Sequence, residues 1–93
     1  MIKKIMDETN TGFMSHLGGL SLKKFDAYNF EFSVIVKDIH LNSGEIAHGG
    51  FLSTITDTGM GTAAHMLTEN SRCVTISLEV KFISAALLGQ TLK

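Results

Sequence analysis

The sequence predicts an α+β domain in which a small antiparallel sheet packs on one long helix. Two observations carry this reading. Residues 30–37 and 74–82 alternate apolar and polar side chains, the two-residue period of a half-buried strand. Residues 48–68 instead repeat apolar side chains at spacings of three and four, the period of a helix. The order along the chain is β-β-α-β, with a fourth strand just beginning at residues 90–93. Ninety-three residues suffice for one domain, 1–93, and one core.

Taken in order, residues 1–19 form a short helix and a loop. Ile2, Ile5 and Met6 share a face over residues 2–9. The loop is broken by Gly12, Gly18 and Gly19 and anchored by Phe13, Met14 and Leu17. His16, at the surface or as a cap, receives no role. A first strand over residues 20–28 changes phase at Lys23-Lys24, which predicts a bulge. The second, over residues 30–38, points Phe30, Phe32, Val34 and Val36 one way, and residues 26–29 turn between the two. In the helix, over about 48–68, Leu52, Ile55, Gly59, Ala63 and Leu67 form one face. Gly59 and Gly61 each cost about 1 kcal/mol against alanine. They predict either close approach of another backbone or a ligand, or tight packing on the sheet. Glu69-Asn70-Ser71 ends the helix. A third strand over residues 73–83 alternates Val74, Ile76, Leu78, Val80 and Phe82 with Thr75, Ser77, Glu79 and Lys81.

Composition narrows the function. The net charge is −1 and only one arginine is present, so the clustered cations that neutralise nucleic-acid phosphates are missing and no nucleic-acid partner is expected. The N-terminal MIKKIMDETN has no apolar run long enough for a signal peptide or a membrane span, so no membrane partner and a cytoplasmic location are expected. The single cysteine, Cys73, has no internal disulfide partner and reads as a small apolar residue opening a strand. Three strands spaced ~4.8 Å apart make a sheet only about 14 Å wide, against a helix ~30 Å long and ~10 Å across. That sheet leaves open edges. At 44% apolar content, completion by another copy of the chain is expected.

Chemistry concentrates between His40 and Asp57, in HLNSGEIAHGGFLSTITD. A helix N-terminus carries unpaired N–H groups and partial positive charge. The Gly49 amide there suits a developing oxyanion, a contribution of about 3–4 kcal/mol when well aimed. The plainer alternative is a tight turn into the helix. Asp57 lies among Thr54, Ile55, Thr56, Thr58 and Met60, either partly removed from water as a general base requires or solvated on an outer face. Eight residues of helix separate it from Gly49 by about 12 Å, so one small reacting group cannot touch both on the same helix. The two serve different tasks, or the site is built across an interface. Thr75, in the polar phase of its strand, faces away from its own helix, reaches a second copy's Asp57, or is a surface residue. His40, His48 and Asp57 lack the spacing of metal ligands. No metal and no cofactor are expected.

The string His40-Leu41-Asn42, Gly44, His48-Gly49-Gly50, Asp57, then Val74-Thr75-Ile76 through Phe82, Ser84, Ala86 and Gly89 resembles the hotdog-fold acyl-CoA thioesterases, in their phenylacetate-pathway-like branch. The resemblance extends loosely over residues 12–93. It implies an antiparallel sheet wrapped around one central helix, paired into a homodimer or homotetramer. It also implies hydrolysis of an acyl-CoA, with CoA entering as part of the substrate. In that reading Asp57 is general base or nucleophile and the Gly49 amide polarises the carbonyl. Asn42 positions water or substrate, His48 orients the loop, and Thr75 assists the carboxylate. Two departures stand out. The family continues through further long strands, so the expected fold is a hotdog truncated after the start of its fourth strand. The family's Ser-Pro-Ala is here Ser84-Ala85-Ala86. The rival expectations are a non-catalytic truncated remnant that oligomerises and at most binds acyl ligands, and a hotdog dehydratase acting on 3-hydroxyacyl chains.

Overall fold

The computed structural model describes residues 2–68 and 72–93. Strand β1 (Ser21–Phe25) pairs antiparallel with β2 (Phe30–Ile35), Ser21 opposite Ser33 and Phe25 opposite Phe30. The register slips between Leu22 and Lys24, where the sequence changes phase. The turn between them is closed by Asp26, whose carboxylate accepts the N–H groups of Tyr28 and Asn29, both at 3.0 Å. On its other side β2 pairs antiparallel with the two-residue β3 (Thr91–Leu92), Val34 opposite Leu92. Bonds from Val36 N–H to Gln90 O and from Gly89 N–H to Val36 O, 2.9 Å each, extend this ladder. The sheet order is β1-β2-β3.

Helix α3 (Gly49–Leu67) lies on this sheet. Phe51 joins Met14, Leu20, Val34, Val36, Ala47 and Ala86 in the core. The two interior glycines answer to different causes. A Cβ on Gly59 would meet the Phe32 ring at 3.3 Å, so this glycine lets the helix close on β2. Gly61 has nothing within 4 Å and opens onto a groove. Helix α1 (Ile2–Thr9) packs against α3 through buried Ile5 and a 3.0 Å hydrogen bond between the Thr9 and Thr62 hydroxyls. Among the described residues no helix is long and apolar enough to cross a membrane.

Three features depart from the sequence reading. The stretch expected as loop after residue 10 contains a one-turn helix, α2 (Gly12–His16), which carries Met14 into the core. Its glycines bound the turn rather than dissolve it: Gly12, Gly18 and Gly19 all take positive φ, at 54°, 95° and 84°. The second strand is shorter than 30–38, because the chain winds into a 3₁₀ turn at Asp38–His40. Residues 73–83, expected as the third strand, form no ladder among the described residues. Val74 is 89% exposed and Ile76 99%. Alternation marks a segment suited to a sheet, but a strand exists only with a hydrogen-bonded neighbour. Within this chain the segment meets α3 instead, Thr75 at Asp57 and Phe82 against Gly49. The helix end expected at Glu69-Asn70-Ser71 lies outside the described residues.

Candidate active site

The N-terminal end of α3 is set by the loop that precedes it. Leu41 bridges Ala47, and Asn42 N–H donates to Ile46 O at 2.8 Å. The Asn42 side-chain oxygen accepts from Gly44 N–H at 2.8 Å and Ile46 N–H at 3.4 Å, so this half of the amide holds the loop. Its Nδ2 has no hydrogen-bond partner among the described residues and is the half available to a ligand. His48 caps the helix, its Nδ1 accepting the Gly50 N–H at 2.8 Å. The Gly49 N–H has no hydrogen-bond partner among the described residues. The Phe82 ring lies beside Gly49, 3.3 Å from where a Cβ would stand.

Two turns further along, half-buried Asp57 receives a hydrogen bond from the Thr75 hydroxyl. Thr75 therefore reaches the carboxylate of its own chain, and the reading in which it faces away from its helix is corrected. The phase argument failed because residues 73–83 lack the regular pleat that fixes side-chain direction. The Thr54 and Thr56 hydroxyls turn back onto the Gly50 and Leu52 carbonyls, at 2.8 Å each, and leave Asp57 to Thr75. Asp57 borders an open groove of about 1000 Å³ between α1, α3 and residues 72–75. Lys4, Glu8, His65 and Arg72 also line it. His65 was readable in the sequence, since Asp57, Gly61 and His65 recur every four residues and share a face. Lys4 and Glu8 come from α1, and only tertiary packing brings them here. A second, apolar groove of about 540 Å³, lined by Leu20, Phe32, Ile55, Met60 and Leu92, opens on the opposite face of α3.

The structure thus brings Thr75 to Asp57, and His48 to the Gly49-Gly50 turn. It does not bring these two groups together. Gly49 and Asp57 belong to one unbroken helix, and its rise keeps them about 12 Å apart. His40 opens the motif string and was weighed in the sequence only as a metal ligand. It is 1% exposed, and both ring nitrogens are engaged by backbone groups, which leaves none for a cation.

The profile of the Thioesterase superfamily matches residues 44–93, a stretch that holds Gly49, Asp57 and Thr75. A Pseudomonas aeruginosa protein, PA0474, named as a candidate esterase, is 37% identical over 59 residues. That alignment takes in 62% of this chain and 44% of the relative, so the chain spans less than half of that protein. Among solved structures, zebra fish Thioesterase Superfamily Member 2 superposes with a TM-score of 0.83 at 21% identity, over 97% of this chain and 67% of that one. The Mus musculus thioesterase superfamily member 2 gives 0.77 at 20% identity, over 96% and 66%. The E. coli PaaI protein of the phenylacetic acid degradation operon gives 0.74 at 20% identity, over 97% and 63%. These likenesses are of fold, an antiparallel sheet on one long central helix. With the profile covering more than half of its residues, the chain belongs to the thioesterase superfamily and has the hotdog fold.

Proposed function

We propose that the protein hydrolyses the thioester of an acyl-CoA at a site shared between two copies of the chain. Asp57 of one protomer and the Gly49 amide of its partner act on the same carbonyl. The observation that carries this reading is the pair of half-sites on α3. One is a half-buried carboxylate with a hydroxyl donor, and the other a helix-start N–H without a partner, about 12 Å away along the same helix. Each half has the chemistry the other lacks.

In the reaction, Asp57 takes a proton from water as the water oxygen attacks the thioester carbon. The Gly49 N–H takes the charge that develops on the carbonyl oxygen, where helix-end polarity and a fixed donor are effective. The carbon–sulfur bond then breaks, and the CoA sulfur leaves with the proton held by Asp57. A direct attack by the carboxylate, followed by hydrolysis of the acyl-enzyme, uses the same groups. Thr75 orients the Asp57 carboxylate, His48 shapes the Gly49-Gly50 turn, and Asn42 Nδ2 addresses water or substrate.

Release of free thiol from a panel of short-chain and aryl CoA esters tests this. Asp57→Ala is expected to abolish turnover while the solution mass of the oligomer is unchanged. Hydrolysis at the parental rate by Asp57→Ala, or no release above buffer by the parent chain, contradicts the proposal.

A further inference from the structure

We infer that His40 is a positioning residue for the Gly49 amide, a clamp that joins the N-terminal segment and the end of β2 to the first turn of α3. The problem it meets is local. Gly49 and Gly50 form a pair with the least backbone restraint of any dipeptide, yet an oxyanion donor is effective only when its direction is held. Something outside the pair must hold it.

Every polar atom of His40 that can bond is committed. Nδ1 accepts the Lys37 N–H at 2.9 Å, so the proton resides on Nε2, which donates to the Leu17 carbonyl at 2.6 Å. The His40 carbonyl accepts the His48 N–H at 2.7 Å, which fixes the residue immediately before Gly49. The imidazole also stacks on Phe51, with centroids 3.7 Å apart and planes at 9°. Phe51 is the third residue of α3. The glycine pair is therefore bracketed on both sides by residues that touch His40, His48 through the backbone carbonyl and Phe51 through the buried ring. A leucine fills a similar volume, but it cannot join Lys37, Leu17 and the helix start at once. Burial of a polar ring with both nitrogens satisfied is the mark of a specified geometry rather than of filler.

The consequence for turnover rests on the proposed hydrolysis; the consequence for the Gly49 amide does not. The test uses the full chain with His40→Gln, which keeps a side-chain N–H donor, His40→Leu, which keeps none, and Phe51→Leu. Phe51→Leu removes the stack and leaves the hydrogen bonds of His40 in place, so it serves if His40→Leu does not fold. In amide NMR and hydrogen exchange, the Gly49 and Gly50 signals are expected to shift and exchange faster in all three, while residues 58–66 of α3 keep their protection. In thiol release, kcat is expected to fall about 10- to 100-fold, as a misaimed group does. The loss should be larger for His40→Leu than for His40→Gln, with KM little changed. Unchanged Gly49 and Gly50 amides, or protection lost evenly along α3, overturns the inference. So does an unchanged kcat in a parent that turns over. A parent without thiol release counts against the hydrolysis alone, and the amide readout still decides His40.

Discussion

The Thr75 hydroxyl donates a hydrogen bond to Asp57 Oδ1, fastening a segment that has no sheet neighbour among the described residues to the middle of α3. The bond joins residues 18 apart in sequence, and the second carboxylate oxygen of Asp57, a residue that borders the groove, has no hydrogen-bond partner among the described residues. A hydroxyl at this point holds the carboxylate in one orientation.

A hydrogen bond to an ionised acceptor contributes about 1.5–3 kcal/mol, and a half-exposed setting puts this one at the low end. Thr75→Val, which keeps the shape and removes the donor, is therefore expected to lower thiol-release turnover about tenfold. Thr75→Ser, which keeps the donor, should restore most of it. Equal rates for Thr75→Val and the parent would show that the hydroxyl does not serve the carboxylate.

The two interior glycines of α3 are expected to respond in opposite directions. Gly61 has open space where a Cβ would go, so Gly61→Ala gains helix propensity and should raise the unfolding free energy by about 0.5–1 kcal/mol. Gly59 faces the Phe32 ring at 3.3 Å and Leu20 at 3.8 Å. A leucine there wedges helix from sheet, and Gly59→Leu should lower stability by about 1–3 kcal/mol. Urea midpoints of the two variants, with m-values compared to confirm the same transition, check both signs.

Asp26 gives the hairpin a pH dependence of known sign. The Tyr28 N–H, the Asn29 side-chain amide and the Asn29 N–H, in that order, hold its carboxyl below its ordinary value, against a small opposing effect of burial. A carboxylate with a depressed folded pKa adds stability that is fully present above its unfolded value. That stability is lost as pH falls through the folded one. Acidification should release the Tyr28 and Asn29 amides of the turn before the rest of β1 and β2. In Asp26→Ala the same amides should be loose at every pH. An acid titration of amide signals reads this directly, and turn amides that ignore both pH and substitution would contradict it.

How much of this was legible depends on how local the cause is. Helix α3 was legible because its apolar period lies in contiguous residues and its start carries the His48-Gly49 signal. The antiparallel sheet was legible from the alternation of Phe30 to Val36, and the bulge from the doubled lysines. The α2 turn was not legible, since the glycines around it look the same whether they interrupt a helix or bound one. The alternation of residues 74–82 was visible, but pairing is a property of two segments and not of one. For the same reason the direction of Thr75 could not be read from its strand phase. His40 was visible only as the first residue of the motif string, with no role attached. Its importance lies in Leu17, 23 residues earlier, and in Phe51, 11 later, contacts that no local pattern encodes.

The shared site is tested most directly by mixing two inactive variants. Gly49→Pro deletes the amide hydrogen at the first helical position, where proline is tolerated. His48 already has the φ of −63° and ψ of 136° that a following proline requires. Gly49→Ala, which adds a Cβ against Phe82 but keeps the N–H, is the control for crowding. Gly49→Pro and Asp57→Ala are each expected to be inactive alone. Refolded together in equal amounts, half of the dimers are mixed and each mixed dimer holds one intact site, so about a quarter of the parental rate should return. No recovery from a mixture shown to contain mixed dimers would contradict a site assembled from Gly49 of one chain and Asp57 of the other.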